Sequence, residues 1–186
     1  KCLLERVGVL LKNNHLEAFF YSLKWVIFTF MKTCNLSTPL GIATIHGDQN
    51  GIAAITIAEQ GEITTDIPDD LPAAVSQLHD YLNGTRTHFD LKLNPQGTEF
   101  QQKVWKGLCE IPYGKTKSYL EFAKQLGDVK AIRAVASANG KNPLWIVVPC
   151  HRVIGTDGSL TGYAGGLWRK KWLIEHENPT QQQSLF

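Results

Sequence analysis

The stretch "SYLEFAKQLGDVKAIRAVASANG", residues 118–140, has the pattern of two short helices joined by a tight turn. Ser118 followed by Glu121 is a capping-box signature that opens the first helix, and Gly127 ends that helix. The alanine-rich run that follows predicts a second helix over residues 130–140. Two short helices across a glycine-containing turn are typical of a helix-turn-helix.

The second of these helices is slim. Ala131, Ala134, Ala136 and Ala138 give it little bulk, and Arg133 is its only long polar side chain after the first residue. Such a helix can approach a groove closely with one cation projecting from it. It can equally pack against a neighbouring helix with Arg133 in solvent, and these residues alone leave both interpretations open.

Helix, strand and loop signals continue on both sides of this motif. Thr98 with Gln101 is a further capping box, and it opens a helix whose apolar face is marked by Phe100, Val104, Leu108 and Ile111. Downstream, "IVV" at 146–148 predicts a short buried strand, 155–166 a glycine-rich loop and 167–177 a final helix. We therefore predict a mainly α domain over residues 94–178.

The preceding residues predict a small α/β domain over 31–93. Apolar and polar residues alternate around Asn50-Gly51, which predicts paired strands at 40–46 and 52–58. A helix is predicted over 72–84, where proline stands at the start and glycine past the end, and a strand over 88–93.

Charge divides between the two predicted domains. Residues 31–93 carry three basic and eight acidic side chains, whereas residues 94–186 carry twelve basic and seven acidic ones. A basic second half is compatible with a polyanion partner and also with an ordinary solvated lysine surface.

Residues 1–30 differ from the rest, because the only methionine of the chain is Met31. Their apolar run at 16–30 is interrupted by charges, which makes it too short and too polar for a membrane span. We expect translation to start at Met31, with residues 1–30 as an upstream extension. At the other end, residues 179–186 are expected to be a frayed tail.

Cysteine usage predicts neither a structural zinc site nor a disulfide framework. Four cysteines are scattered without a CxxC motif, at Cys2, Cys34, Cys109 and Cys150. This spacing has no metal-ligand signature, and it favours a reducing, intracellular setting.

Cys150 stands in "IVVPCHRVIG", residues 146–155. His151 supplies a base and Arg152 a cation, and either can raise the thiolate fraction of a neighbouring cysteine. Because adjacent side chains on a strand point to opposite faces, His151 can reach Cys150 only across a turn or through a water. Glu177 shares the apolar face of the last helix, so it needs a polar partner there and could orient the imidazole.

Taken together, "PCHRVIG", with "NP" at 142–143 before it and "GYAGG" and "EHE" after it, resembles the O6-alkylguanine-DNA alkyltransferases. The upstream run "TEFQQKVWKGLCEIPYGKTKSYLEFA" is similar to that family in order and spacing. The resemblance covers about residues 81–177, is weaker over 31–93 and does not extend to 1–30. It implies a ribonuclease-H-like α/β N-terminal domain, followed by a winged-helix-like, mainly α domain with the helix-turn-helix.

The resemblance also implies DNA repair by suicide transfer. Cys150 would take the alkyl group from O6-alkylguanine, and from O4-alkylthymine as well, as a thioether, so that each molecule acts once. His151, through a water, and Glu177 would favour the thiolate. Tyr119 would hydrogen-bond to the guanine, and Asn142 would brace the turn that carries the cysteine. No cofactor and no metal are expected.

The implied partner is double-stranded DNA, bound through its minor groove by a cytoplasmic monomer without a membrane contact. The nucleotide must be flipped out because its alkyl carbon is inaccessible in a duplex, and Arg133 would fill the vacated space. The other DNA contacts implied are Ser118, Ala131, Ala134 and Gly140. The base pocket would be walled by Val153, Tyr163, Ala164 and Trp145.

Three other functions compete with this interpretation. A non-enzymatic sensor of alkylated DNA would lack the reactive cysteine, so Cys150 argues against it. A helix-turn-helix regulator would leave the Cys-His-Glu set unused, and the alanine-rich helix offers few side chains for base readout. A cysteine hydrolase would need an oxyanion hole and turnover, and it would leave the DNA-binding segments unexplained.

Overall fold

The structure, a computed structural model, describes residues 31–178. The expected upstream extension, residues 1–30, and the expected tail, residues 179–186, lie outside the described residues.

A three-stranded antiparallel sheet comes first in the described chain. Its strands are β1 (Lys32–Thr38), β2 (Gly41–Asp48) and β3 (Gly51–Ala58), and they lie in the order β1-β2-β3. The predicted hairpin is confirmed as β2 and β3. Gly51 opens β3 with φ 128°, and a Cβ there would lie 2.4 Å from the carbonyl oxygen of Lys92, so this position requires glycine.

The helices follow the sheet. They are α1 (Pro72–Leu82), α2 (Glu99–Cys109), α3 (Tyr119–Gln125), α4 (Ile132–Gly140) and α5 (Leu167–Glu177). Short 3₁₀ turns cover Val129–Ala131 and Cys150–Arg152, and a two-residue parallel pair joins β4 (Lys117–Ser118) to β5 (Val153–Ile154). The small sheet with α1, followed by a helical part, confirms the predicted α/β and mainly α halves at this coarse level.

Both predicted capping boxes are present. The Thr98 amide donates to Gln101 Oε1 at 2.8 Å and Thr98 Oγ1 accepts from the Gln101 amide, which opens α2. The Ser118 amide donates to Glu121 Oε2 at 2.8 Å, and Ser118 Oγ accepts from the Glu121 amide. These local bonds set where α2 and α3 begin.

The strand predicted over 88–93 is wrong. Only Leu93 forms an isolated bridge, to Ile52 of β3. The backbone of Asp90 instead bonds with the side chain of Gln77, whose Nε2 donates to the carbonyl and whose Oε1 accepts from the amide, both at 2.8 Å. A side chain from α1 therefore replaces the strand partner that the alternating pattern predicts.

The strand predicted over 146–148 is also wrong. These residues form turns, in which the Val147 amide donates to Trp145 and the Val148 amide to Leu144. A short buried apolar run has the same composition in a strand and in a buried turn, so the pattern cannot separate the two.

One hydrophobic cluster joins the sheet to the helices. It includes Ile45 of β2, Leu78 of α1, Leu108 of α2 and Leu173 of α5, all of them buried. Ile55 of β3 adds backbone bonds: its amide donates to the carbonyl of residue 143 at 2.8 Å, and its carbonyl accepts from residue 145 at 3.0 Å. The segment that leads to Cys150 is therefore held against the sheet. Within residues 31–178, no helix has the length and hydropathy that crossing a membrane requires.

Candidate active site

Cys150 lies at the end of a strained, braced turn. Ile146 has φ 67°, a left-handed conformation that is unfavourable for a β-branched residue. Asn142 spans the turn, since its Nδ2 donates to the carbonyl of Val148 at 2.8 Å and to Cys150 Sγ at 3.2 Å. Its Oδ1 accepts from the Leu144 amide at 2.9 Å. Asn142 thereby fixes both the turn and the thiol.

A pocket of about 140 Å³ opens beside Cys150. Of the residues expected around the base pocket, Trp145, Tyr163 and Ala164 line it, whereas Val153 is fully buried in β5 and does not. The sequence pattern did not indicate the wall that β3 supplies through Ile55, Thr56 and Ile57.

Tyr119 reaches the cysteine turn through Asn139. The Asn139 amide nitrogen donates to the Tyr119 hydroxyl at 3.0 Å, and it lies 3.5 Å from the carbonyl oxygen of Cys150. Burial raises the pKa of the Tyr119 hydroxyl, while the hydrogen bond from Asn139 works in the opposite direction. Tyr119 is therefore protonated at neutral pH and able to donate.

His151 and Glu177 meet, as a relay requires. His151 is fully buried, and its Nε2 lies 2.8 Å from Glu177 Oε1. Arg152, the neighbouring cation, also turns toward this carboxylate, with Nε 2.9 Å from Oε2 and Nη2 2.9 Å from Oε1. Glu177 thus has the polar partners that its place on an apolar helix face demands.

Two further groups complete the Glu177 site. The Gly114 amide donates to Oε2 at 3.1 Å, and the hydroxyl of Tyr81, a fully buried residue of α1, donates to Oε1 at 2.6 Å. Tyr81 is a site residue that sequence reasoning missed. The charge of Glu177 implied a buried donor, but nothing in the sequence pointed to α1 as its source.

The protonation states of Glu177 and His151 follow from burial and from the neighbouring charges. Burial favours a higher pKa for Glu177, but hydrogen bonds from His151 and Arg152 outweigh it and hold that pKa well below its usual range. Burial lowers the pKa of His151, against the raising effect of Glu177. A neutral His151 beside an anionic carboxylate carries its proton on Nε2, so Nδ1 keeps a lone pair. His151 Nδ1 has no hydrogen-bond partner among the described residues.

A buried lysine also acts electrostatically on the thiol. Lys170 of α5 donates through Nζ to the carbonyls of Val153 and Thr161, both at 2.8 Å, and so ties the glycine-rich loop to β5. Burial lowers the pKa of Lys170 to about 8. Burial raises the pKa of Cys150, while Asn142 and then Lys170 act against that effect. The resting group is therefore a thiol that needs a proton acceptor when it reacts.

Lys170 could have been found from spacing. It precedes Leu173 by three residues and Glu177 by seven, so all three share one face of α5. The same face argument that marked Glu177 as needing a partner applies to Lys170.

The second helix of the predicted helix-turn-helix, α4, has one exposed face. Arg133, Ala134 and Gly140 are exposed on it, and Ala131 is half-buried just before the helix starts. Arg133 makes no hydrogen bond or ion pair with any part of the chain that the structure describes. The Ser118 hydroxyl donates to Glu121 at 2.7 Å within the capping box. The exposed face of α4 therefore carries small residues and the unpaired cation of Arg133.

The buried Cys150 thiol lies at a pocket next to the exposed face of α4, an arrangement that fits a protein whose cysteine reacts with a group presented by bound DNA. Comparison with known proteins makes the class specific. Residues 99–179 match the family model described as the DNA binding domain of 6-O-methylguanine DNA methyltransferase.

Curated relatives of this chain carry the name methylated-DNA–protein-cysteine methyltransferase. The one from Methanosarcina barkeri is 44% identical over 149 residues, which cover 76% of this chain and 94% of the relative. The one from Mycobacterium bovis is 46% identical over 147 residues, which cover 76% and 89%. The chain belongs to the methylated-DNA–protein-cysteine methyltransferase family.

Solved structures agree. The crystal structure of the Mycobacterium tuberculosis O6-methylguanine methyltransferase has a TM-score of 0.72 at 44% identity, covering 80% of this chain and 93% of that chain. Mycobacterium tuberculosis OGT in complex with DNA has a TM-score of 0.72 at 45% identity, covering 79% and 93%.

Proposed function

We propose that this protein repairs DNA by transferring the alkyl group of O6-alkylguanine to its own Cys150. The observation that carries the proposal is the Cys150 thiol at a small pocket, with the buried His151–Glu177 pair next to it in the chain and in space. The sulfur attacks the alkyl carbon, an S–C bond forms and the O6–C bond breaks. The product thioether does not pass the group on to water, so each molecule acts once.

Proton transfer completes the balance. The Cys150 proton moves through a water to the lone pair on His151 Nδ1, and Glu177 stabilises the imidazolium through Nε2. Guanine leaves with the electron pair of the broken bond on O6, and the Tyr119 hydroxyl assists its departure by proton donation or by equivalent polarisation. Where Tyr119 gives up its proton, it recovers one from water, and His151 releases to water the proton taken from Cys150. Asn142 keeps the sulfur in line by holding the turn.

The proposed partner is duplex DNA. The winged-helix-like domain places α4 in the minor groove. Support comes from the exposed, nearly uncharged face of α4 and from the DNA complex of the Mycobacterium tuberculosis relative. Arg133 takes the place of the flipped nucleotide, while Ser118, Ala131, Ala134 and Gly140 lie along the backbone. The protein acts as a monomer.

Substrate range and setting follow from the same chemistry. O4-alkylthymine also carries its alkyl group on an exocyclic oxygen, so it is proposed as a second substrate. The attacking group must stay a free thiol, which fits a reducing, cytoplasmic setting.

The test follows the DNA and the protein together. Wild type, Cys150→Ala and Cys109→Ala are incubated with a duplex that holds one O6-methylguanine, and restored guanine is measured in the nucleoside digest. Cys109, an exposed cysteine, is the matched control. We expect one guanine restored per wild-type or Cys109→Ala molecule, and none with Cys150→Ala, which still binds. Equal repair by Cys150→Ala overturns the proposal, and binding without repair by the wild type supports a sensor instead.

A further inference from the structure

A tyrosine of the α/β half contacts the Glu177 carboxylate of the transfer site. Tyr81 lies near the end of α1, and its hydroxyl donates to Glu177 Oε1 at 2.6 Å. The side chain is fully buried, and its ring packs against Phe89, Tyr113 and His176. The ring contacts hold the hydroxyl on the carboxylate.

Tyr81 and His151 share one carboxylate oxygen. Oε1 accepts from Tyr81 at 2.6 Å, from His151 Nε2 at 2.8 Å and from Arg152 Nη2 at 2.9 Å. Donors on one oxygen compete, because each draws on the same negative charge. The bond from Tyr81 therefore weakens the pull of Glu177 on the His151 proton.

We propose that Tyr81 is a positioning residue of the transfer site, which fixes the Glu177 carboxylate and limits how strongly it stabilises the protonated form of His151. The inference rests on the proposed function, since it concerns the same proton relay. Through Tyr81, the α/β half then influences how strongly Glu177 stabilises protonated His151.

Other charged or titratable groups also lie near His151 and Glu177. Arg152 lies on the same turn as His151, and Lys170 lies on α5; both lower the pKa of His151. Tyr113, from the loop after α2, lies near Glu177, but its hydroxyl bonds to the His176 carbonyl at 3.5 Å rather than to the carboxylate. Tyr113→Phe is therefore a matched control, because it removes a nearby hydroxyl without touching the shared oxygen.

Tyr81→Phe removes one donor from Oε1. Glu177 then stabilises the His151 imidazolium more, so the pKa of His151 rises by about half a unit. Histidine NMR on the DNA-free protein measures this titration directly and does not depend on alkyl transfer. In single-turnover transfer, the midpoint of the acid limb of the rate moves to higher pH by a similar amount.

A site-specific 3-fluorotyrosine at position 81 gives the opposite change, because a more acidic phenol donates more strongly. It keeps the ring, so it also tests the idea where Tyr81→Phe does not fold. Unchanged His151 titration in these variants, or the same shift in Tyr113→Phe, overturns the inference. A lower rate with the wild-type midpoint also overturns it, because that is the result of a purely structural role. Failure of the wild type to repair any lesion would instead overturn the proposed function.

Discussion

Glu177 is held by four of its neighbours through five hydrogen bonds in the described part of the chain. The donors are the Tyr81 hydroxyl, His151 Nε2, the Arg152 guanidinium with two bonds, and the Gly114 amide. A buried charge that is satisfied in this way is expensive to remove, because its partners remain buried.

Glu177→Gln should therefore lower the free energy of unfolding by about 3 kcal/mol, since it leaves the Arg152 cation without a counter-charge. Urea unfolding of the folded variant at neutral pH measures this. Glu175→Gln is the control, because within residues 31–178 the Glu175 carboxylate forms an ion pair with exposed Lys171 alone, at 3.7 Å. It should cost less than about 0.5 kcal/mol. Equal effects of the two changes would contradict the assignment.

The same carboxylate predicts an acid-sensitive fold. The pKa of Glu177 is lower in the folded chain than in the unfolded one, so its contribution is complete above its ordinary pKa of 4.5 and is lost as pH falls below that value. The difference in unfolding free energy between wild type and Glu177→Gln should shrink between neutral pH and pH 3. A constant difference over that range would show that the negative charge of Glu177 is not what stabilises the fold.

Lys170 predicts a pH effect at the alkaline end. Its folded pKa of about 8 lies below the ordinary 10.5, so between these values the unfolded chain holds a proton that the folded chain has lost. Stability therefore rises with pH in this window. Wild type should gain stability relative to Lys170→Met from pH 8 to pH 10, as measured by urea unfolding, and a relative loss would contradict the buried state of the ammonium.

At the scale of elements, the helices were predictable and the short strands were not. Capping boxes at Thr98 and Ser118 are local signals, and α5 matches its predicted bounds of 167–177. β1 escapes detection because its run "KTCNLST" buries only Cys34. The strand expected at 88–93 fails because a glutamine from α1 satisfies the backbone there, which is a tertiary contact that no local pattern reveals.

The cap of α2 gives a simple test of a local signal. Thr98→Ala removes the hydroxyl that accepts from the Gln101 amide, so we expect about 1 kcal/mol less stability and a melting temperature lower by a few degrees. Thr98→Ser keeps the hydroxyl and should retain most of the stability. Differential scanning calorimetry distinguishes them, and equal melting temperatures for both variants would contradict the cap.

The exposed face of α4 gives a test of DNA binding. Ala134→Glu places a negative charge where phosphates are expected, and it should weaken duplex binding about tenfold or more. The reaction with free O6-benzylguanine should stay unchanged, because the pocket is untouched. Ala73→Glu, at an exposed position of α1, is the matched control. Fluorescence anisotropy measures binding, and equal loss in both variants would point away from α4.

At the scale of the whole molecule, the site depends on both halves of the chain. β3 supplies one wall of the Cys150 pocket and α1 supplies Tyr81, although the sequence places the reactive motif entirely in the second half. The boundary between residues 93 and 94 stays a prediction. The relay from Cys150 to Glu177 was expected from the family resemblance, but the contacts with Tyr81 and β3 join residues far apart in sequence and had no local signal.

Direct alkyl transfer requires that Cys150 itself becomes alkylated. Peptide mass mapping after reaction with a duplex holding one O6-methylguanine tests it most directly. We expect one added methyl group, on the peptide that contains Cys150, in an amount equal to the lesions repaired. A methyl group on Cys34 or Cys109, or repaired DNA with an unmodified Cys150 peptide, would contradict it.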